Sequence, residues 1–357
     1  MKILHVITLA DLGGAQSVLI NICNRAVKDG HQTYVISESE GPMWKQLDDK
    51  IIKIKINQLQ REVNPLKDFS TLLQLRKIYK EIKPDVIHLH SSKIGLLGRL
   101  AFPAKRIIYT VHGFDSVRTA NRKFLIFEKL LKNKARYIVA VSNYDKAALV
   151  SEGITENVEM IYNGIKDTYT TNEGEVSLYA SEYLENLHKN HIVIMTIARL
   201  SPPKDYQLFC NVADHFKNDE RFKFVWIGNK EGNGSNTTNI TMLGELVDAY
   251  IYLKYADLFL LPSKYEGLPI SIIEAMCFGV PVIASNVGGI SEILNNENGF
   301  AVENNVLDFK NAIEKIVNDR KFFKSFCNEA RLIYKKKFTI DKMYLQYMDL
   351  YKNVIIK

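Results

Sequence analysis

Residues 264–294, KYEGLPISIIEAMCFGVPVIASNVGGISEIL, decide the fold. Just ahead of them, residues 257–262 (DLFLLP) read as an apolar strand ended by Pro262, and residues 263–269 are polar and turn-like. Ser271 with Glu274 three residues on has the spacing of a capping box, so a helix is expected to start there. Ile272, Ile273 and Met276 give that helix an apolar face, and Gly279 stops it. Residues 281–284 (PVIA) form a short buried strand, and Gly288-Gly289 makes a second turn before the helical SEIL. Two strand–turn–helix units in succession predict a parallel sheet with loops and helix N-termini on one edge. Ligands of α/β folds bind at that edge, and helix N-termini favour anions.

Glu266 and Glu274 flank the start of the first of these helices. Carboxylates beside an anion site suit a ligand that also carries hydroxyls, since they accept hydrogen bonds from vicinal diols. The plainer reading is that Glu274 completes the capping box and Glu266 is a solvated loop residue. Spacing alone leaves both open.

E-G-L-P-I-S-I-I-E followed by A-M-C-F-G-V-P-V-I-A-S-x-x-G-G-x-x-E resembles the donor-sugar signature of retaining glycosyltransferases of the GT-B fold. More narrowly, it resembles the family 4 type that uses nucleotide-diphosphate sugars. The resemblance runs unbroken over about thirty residues. It implies two Rossmann-like parallel-sheet domains facing across a cleft, with a last helix that crosses back to the first.

The rest of the chain is consistent with that expectation. A length of 357 residues suggests two domains, expected at 1–165 with a crossover helix at 339–357, and at 166–338. The 46% hydrophobic and 24% charged fractions are those of a globular protein, and no apolar run is long enough to span a bilayer. The opening MKILHVITLA reads as a first strand rather than a leader, because Gly13-Gly14 and a helical pattern follow at once. Four scattered cysteines without C-x-x-C spacing point to reduced thiols and a cytoplasmic location. Residues 1–165 hold 25 Lys/Arg against 16 Asp/Glu, whereas the remainder is nearly balanced at 22 against 24. An anionic surface or ligand is therefore expected to meet the first half.

Strand, Gly-Gly loop and helix at residues 3–27 make a phosphate-cradle pattern, although a Gly pair alone is as well explained by a tight turn. The resemblance assigns Gly13 and Gly14 to the donor diphosphate; Gln16 stands where many family members carry Glu. Residues 106–111 deliver His112 at a strand end. A lone His there is more often structural, but the H-G that follows resembles the family's, where this His faces the transferred sugar. His88 and His90, also at a strand end, are read as structural. Residues 118–136 carry seven basic residues against one Glu, interleaved with Phe and Leu. They read as a basic amphipathic helix, either lying on an anionic membrane or packing between domains. Residues 137–142 are expected to close the first sheet.

In the second half, residues 191–197 form a strand that delivers Arg199 and Lys204. Two cations on one loop can hold a diphosphate and stabilise charge growing on a leaving group. The resemblance gives them that role, with Glu274 accepting from the ribose, Glu266 from the sugar, and Gly267 and the amides of Leu268 and Ile270 near the phosphates. The run 228–236, GNKEGNGSN, departs from the family's G-x-G-P, which puts base contacts there in doubt. Residues 247–256 read as a helix. No D-x-D stands at a strand end, so neither cofactor nor divalent metal is expected.

The resemblance thus implies a metal-independent hexosyltransferase using a nucleotide sugar, UDP-linked in first place. The basic first half and its apolar helix favour a lipid-linked glycan of surface polysaccharide assembly, at the cytoplasmic membrane face, over a soluble acceptor, and no nucleic acid partner is expected. A catalytically silent nucleotide-sugar-binding subunit and a sugar-nucleotide epimerase of the same architecture are the alternatives.

Overall fold

Strands buried on both faces of a parallel sheet need short, unbroken runs of Ile, Val and Leu, and the chain supplies them in two sets. The computed structural model describes residues 1–171, 174, 176–229 and 239–356. Met1–Ile165 and Ile340–Lys357 form one compact unit, and Lys166–Thr339 forms another.

The first unit is built on β1 (Lys2–Ile7), β2 (Gln32–Ser37), β3 (Ile52–Lys55), β4 (Val86–His90), β5 (Ile107–Val111), β6 (Tyr137–Ala140) and β7 (Val158–Met160). Their order is β3-β2-β1-β4-β5-β6-β7, every pairing parallel. Contrary to expectation, β6 does not close the sheet, because β7 pairs outside it. Three residues are too few for a periodic signal, so the sequence showed only a chain leaving the domain. Apolar side chains cover both faces: Leu4, Val6, Leu89 and Tyr109 lie in one cluster, and Ile7, Leu19 and Val35 in another. The helix Ile340–Ile356 packs on this unit through Met343, Tyr344, Tyr347 and Tyr351, all buried.

The second unit holds β8 (Ile192–Ile197), β9 (Phe222–Ile227), β10 (Ile240–Met242), β11 (Leu258–Leu261), β12 (Val282–Ser285) and β13 (Gly299–Val302). They lie in the order β10-β9-β8-β11-β12-β13, again all parallel. Trp226, Phe224 and Phe209 anchor its core.

Two helix expectations fail. Residues 118–136 are not one helix but the end of Asp115–Arg118, a 3-10 turn Arg122–Phe124 and the short helix Leu125–Leu130. The first of these ends where Ala120 N–H reaches back five residues to Asp115 O at 3.0 Å, and Asn121, at φ −135, lies outside the helical region. Residues 247–256 supply only a 3-10 helix, Ala249–Tyr255, entered through Asp248 at φ 49. All four cysteines are free. Among the described residues no helix is long and apolar enough to cross a membrane.

Candidate functional site

Each sheet reverses its strand order once, between β1 and β4 in the first unit and between β8 and β11 in the second. Open α/β sheets take ligands in the crevice outside such a reversal. In the second unit, the loops leaving β8 and β11 are the ones that carry Arg199, Lys204 and Glu266.

Backbone joins these loops first. Asp205 N–H donates to Pro262 O at 3.0 Å, Lys264 N–H donates to Pro203 O at 2.8 Å, and Lys204 and Ser263 form an isolated antiparallel bridge. Side chains follow. The Lys204 ammonium pairs with Glu266 Oε1, and Ser263 Oγ donates to the same oxygen at 2.6 Å. Glu266 Oε2 has no partner among the described residues. Arg199 is exposed, and no ion pair among the described residues holds it. The sequence thus placed two cations and a carboxylate on separate loops, and the sheet reversal brings those loops together. Ser263, which the sequence reading missed, is the fully buried residue that orients Glu266.

The helix after Glu266 runs over Ile270–Cys277 with Pro269 as its N-cap and no side-chain cap. The capping box expected of Ser271 and Glu274 does not form. Pro269 already sits at the cap with φ −64, the angle its ring prefers, so the helix starts ahead of Ser271. Ile270 opens the helix, and its N–H is one of the first-turn amides without an intrahelical acceptor. Gly267 and Leu268 are buried below it. The Glu274 carboxyl, in the second turn, makes no hydrogen bond among the described residues; burial, then the nearby charge of Asp248, pushes it up to about 7. Asp248 was also missed, since it lay inside a stretch read as helix.

In the first unit, Gly13 is the N-cap and exposed Gly14 the first residue of the helix Gly14–Lys28, which has no acidic residue in its first turn. Its N-terminal amides therefore face no carboxylate of their own. Gln16 turns inward and donates from Nε2 to Leu9 O at 3.0 Å, bracing the loop that leaves β1. His112, at the end of β5, is partly buried, and burial lowers its pKa to about 4. Its Nε2 lies 3.3 Å from His90 Nδ1; the structural reading of His90 overlooked this contact. In the departing run 228–236, residues 230–236 lie outside the described residues. Gly228 N–H donates to Gly244 O at 2.7 Å.

The model of "Glycosyltransferase Family 4" matches residues 12–169, and that of "Glycosyl transferases group 1" matches residues 184–333. The chain belongs to the group 1 glycosyltransferases. Relatives of this glycosyltransferase agree in kind. It is 29% identical over 90% of its length to UDP-Gal:alpha-D-GlcNAc-diphosphoundecaprenol alpha-1,3-galactosyltransferase of Escherichia coli, of which it covers 89%. It is 24% identical to the capsular polysaccharide biosynthesis glycosyltransferase CapM of Staphylococcus aureus, over 99% of this chain and 97% of that one. Among solved structures, HepE of Anabaena in complex with UDP-glucose superposes with a TM-score of 0.81 at 21% identity, covering 99% of this chain and 100% of HepE. That likeness is one of fold, and the fold is GT-B.

Proposed function

We propose that this glycosyltransferase moves a sugar from a nucleotide-diphosphate sugar, UDP-linked in first place, to a hydroxyl of a lipid-linked saccharide. Transfer retains anomeric configuration and uses no divalent metal. The observation that carries the reading is the joining of the β8 and β11 loops at the strand-order reversal. It gathers Lys204 and Glu266 into one cluster and leaves Arg199 exposed on the same loop.

Arg199 and Lys204 would hold the diphosphate and stabilise its departure as the bond from the anomeric carbon to the phosphate oxygen breaks. The acceptor oxygen then bonds that carbon, and its proton passes to the departing phosphate, so no protein nucleophile is invoked. Glu266, with Oε2 unpaired, accepts from a sugar hydroxyl; Glu274 accepts from the ribose diol. First-turn amides at Gly14 and Ile270, with Gly13, Gly267 and Leu268 shaping the approach, add hydrogen-bond donors for the phosphates. His112 contacts the sugar.

The UDP preference draws on the UDP-Gal of the Escherichia coli relative and the UDP-glucose in the HepE complex. The lipid-linked acceptor draws on that relative's diphosphoundecaprenol. Exposed Ile126, Phe127 and Leu130 beside Lys123, Lys129 and Lys132 offer a way for the basic first unit to rest on an anionic membrane face.

A thermal-shift screen with UDP, GDP, ADP and their sugar conjugates, without metal, tests the reading. One nucleotide should raise the melting temperature, and the rise should vanish in Arg199→Ala. If no nucleotide shifts wild type, the assignment of these loops to a donor fails.

A further inference from the structure

Four imidazoles cluster in the first unit. β1 and β4 pair with His5 beside His88 and Ile7 beside His90. Alternate residues of a strand share a face, so His88 and His90 point the same way. His5, His88 and His90 are all fully buried. His88 is fully engaged by hydroxyls: Nδ1 lies 2.7 Å from Tyr351 OH and Nε2 2.7 Å from Thr110 Oγ1. The other three rings form a chain of their own. His5 Nδ1 is 3.1 Å from His90 Nε2, and His90 Nδ1 is 3.3 Å from His112 Nε2. At one end His5 Nε2 is buried without a hydrogen-bond partner among the described residues. At the other, Nδ1 of the partly buried His112 has no partner among the described residues.

Each nitrogen–nitrogen contact needs one proton, and a neutral imidazole brings one. Burial keeps all three rings neutral, lowering His5 to about 3, His112 to about 4 and His90 well below its ordinary value. Three protons on three linked rings allow two arrangements. In the first, every ring is protonated at Nε2, which strands a buried N–H on His5 with nothing to accept it. In the second, every ring is protonated at Nδ1; His5 then buries only a bare lone pair, and His112 presents an N–H at its unpartnered nitrogen. Orphaned buried N–H groups are rarer than orphaned acceptors, which favours the second.

We infer that His90, backed by His5, is a positioning residue that holds His112 in the Nδ1–H form, so that His112 serves its ligand as a hydrogen-bond donor. The partner it suits is an acceptor oxygen, on a sugar hydroxyl or a phosphate, rather than a donating group. This rests on the reading above that His112 contacts the transferred sugar. Ring nitrogens of His5, His88 and His90 lie within 4.8 Å of one another, as a metal site would require. A metal would have to displace the two hydroxyls on His88 and the proton shared by His5 and His90, so hydrogen bonding accounts for the cluster better.

The test is long-range 1H–15N correlation on the full chain labelled with 15N-histidine near neutral pH, with His5, His90 and His112 assigned by single substitution. All three rings should show a pyrrole-type shift at Nδ1 and an imine-type shift at Nε2, the reverse of the form a free imidazole side chain prefers. In His90→Phe, His112 should revert to the Nε2–H form. His112 protonated at Nε2 in wild type would overturn the inference. So would an Nδ1–H His112 that persists in His90→Phe, or a stoichiometric transition metal bound by wild type. If His90→Phe does not fold, the wild-type tautomers alone decide. The readout concerns ring nitrogens of the protein without added nucleotide, so its failure is distinct from a failure to bind nucleotide sugars.

Discussion

A Cβ placed on Gly288 would lie 1.9 Å from the carbonyl oxygen of Glu266. The second glycine of that turn, Gly289, donates its N–H to Gly267 O at 2.9 Å. The Gly-Gly turn after β12 is thus the bed on which the Glu266 loop rests, and Gly288 at φ +59 has a backbone that L-residues adopt only with strain. Gly288→Ala should destabilise the chain by about 2 kcal/mol or more, from strain and contact together, and should weaken nucleotide binding by displacing Glu266. Gly30→Ala is the control: it shares a positive φ, +80, but nothing lies within 4 Å of its Cβ position. Urea unfolding midpoints should fall clearly further for Gly288→Ala than for Gly30→Ala. Equal losses would mean that strain acts alone and the close approach does not matter.

Arg199 and Lys204 should separate in stability while agreeing in function. Arg199 is exposed and without an ion pair among the described residues, so Arg199→Ala should leave unfolding within about 0.5 kcal/mol of wild type. Lys204→Ala strips the cation from Glu266, whose side chain is only 12% exposed, and should lower the melting temperature. Both should reduce kcat/KM of transfer about 10²–10³-fold if they stabilise the leaving diphosphate. An Arg199→Ala enzyme with unchanged transfer kinetics would remove Arg199 from the site.

The site's loops were legible because their residues are contiguous: Arg199 with Lys204, and Glu266 with the Pro269 helix start, each sit on one short stretch. Their pairing was not legible from spacing. It depends on β8 and β11 lying side by side, 61 residues apart at Ile197 and Leu258, and the family resemblance alone supplied it. The His90–His112 contact was missed for the same reason, since it joins the ends of two strands through register. Glu274 was misread locally: S-x-x-E looks like a cap, but Pro269 had already taken that position. The failed helix over 118–136 shows apolar and basic periodicity overridden by the backbone, which turns out of the helical region at Asn121.

Transfer should persist in EDTA. Arg199 and Lys204 supply positive charge on the loop assigned to the diphosphate, and addition of Mg²⁺ or Mn²⁺ should change kcat by less than twofold, a small fraction of what one charge-stabilising group supplies. Loss of turnover in EDTA, restored by a divalent ion, would show that a metal completes the site.

The exposed trio Ile126, Phe127 and Leu130 should govern binding to anionic vesicles at low salt. Flotation with phosphatidylglycerol vesicles should recover wild type and far less of an Ile126→Ser/Leu130→Ser double variant, and rising salt should release both. These side chains are exposed, so the variant should fold normally. Equal recovery of the two proteins would assign any membrane contact to another surface.

Glu274 should link nucleotide binding to a proton. Its carboxyl is held at about 7 in the folded chain against an ordinary 4.5, chiefly by burial and secondly by Asp248. Between those pH values the folded chain keeps a proton that the unfolded chain has lost. The stability this group contributes is therefore full below about 4.5 and is lost as pH rises through about 7. Glu274→Gln, which cannot ionise, should be more stable than wild type above pH 7 and should lack that part of the pH dependence. Binding reverses the preference, because hydroxyls of a ribose diol donate to a carboxylate and favour the charged form. Nucleotide binding near pH 6 should consequently release close to one proton, and affinity should fall by up to about tenfold per unit of pH below 7. Calorimetry in two buffers of different ionisation enthalpy measures that proton directly. Release equal in wild type and Glu274→Gln would mean that another group ionises and that Glu274 does not receive the ribose.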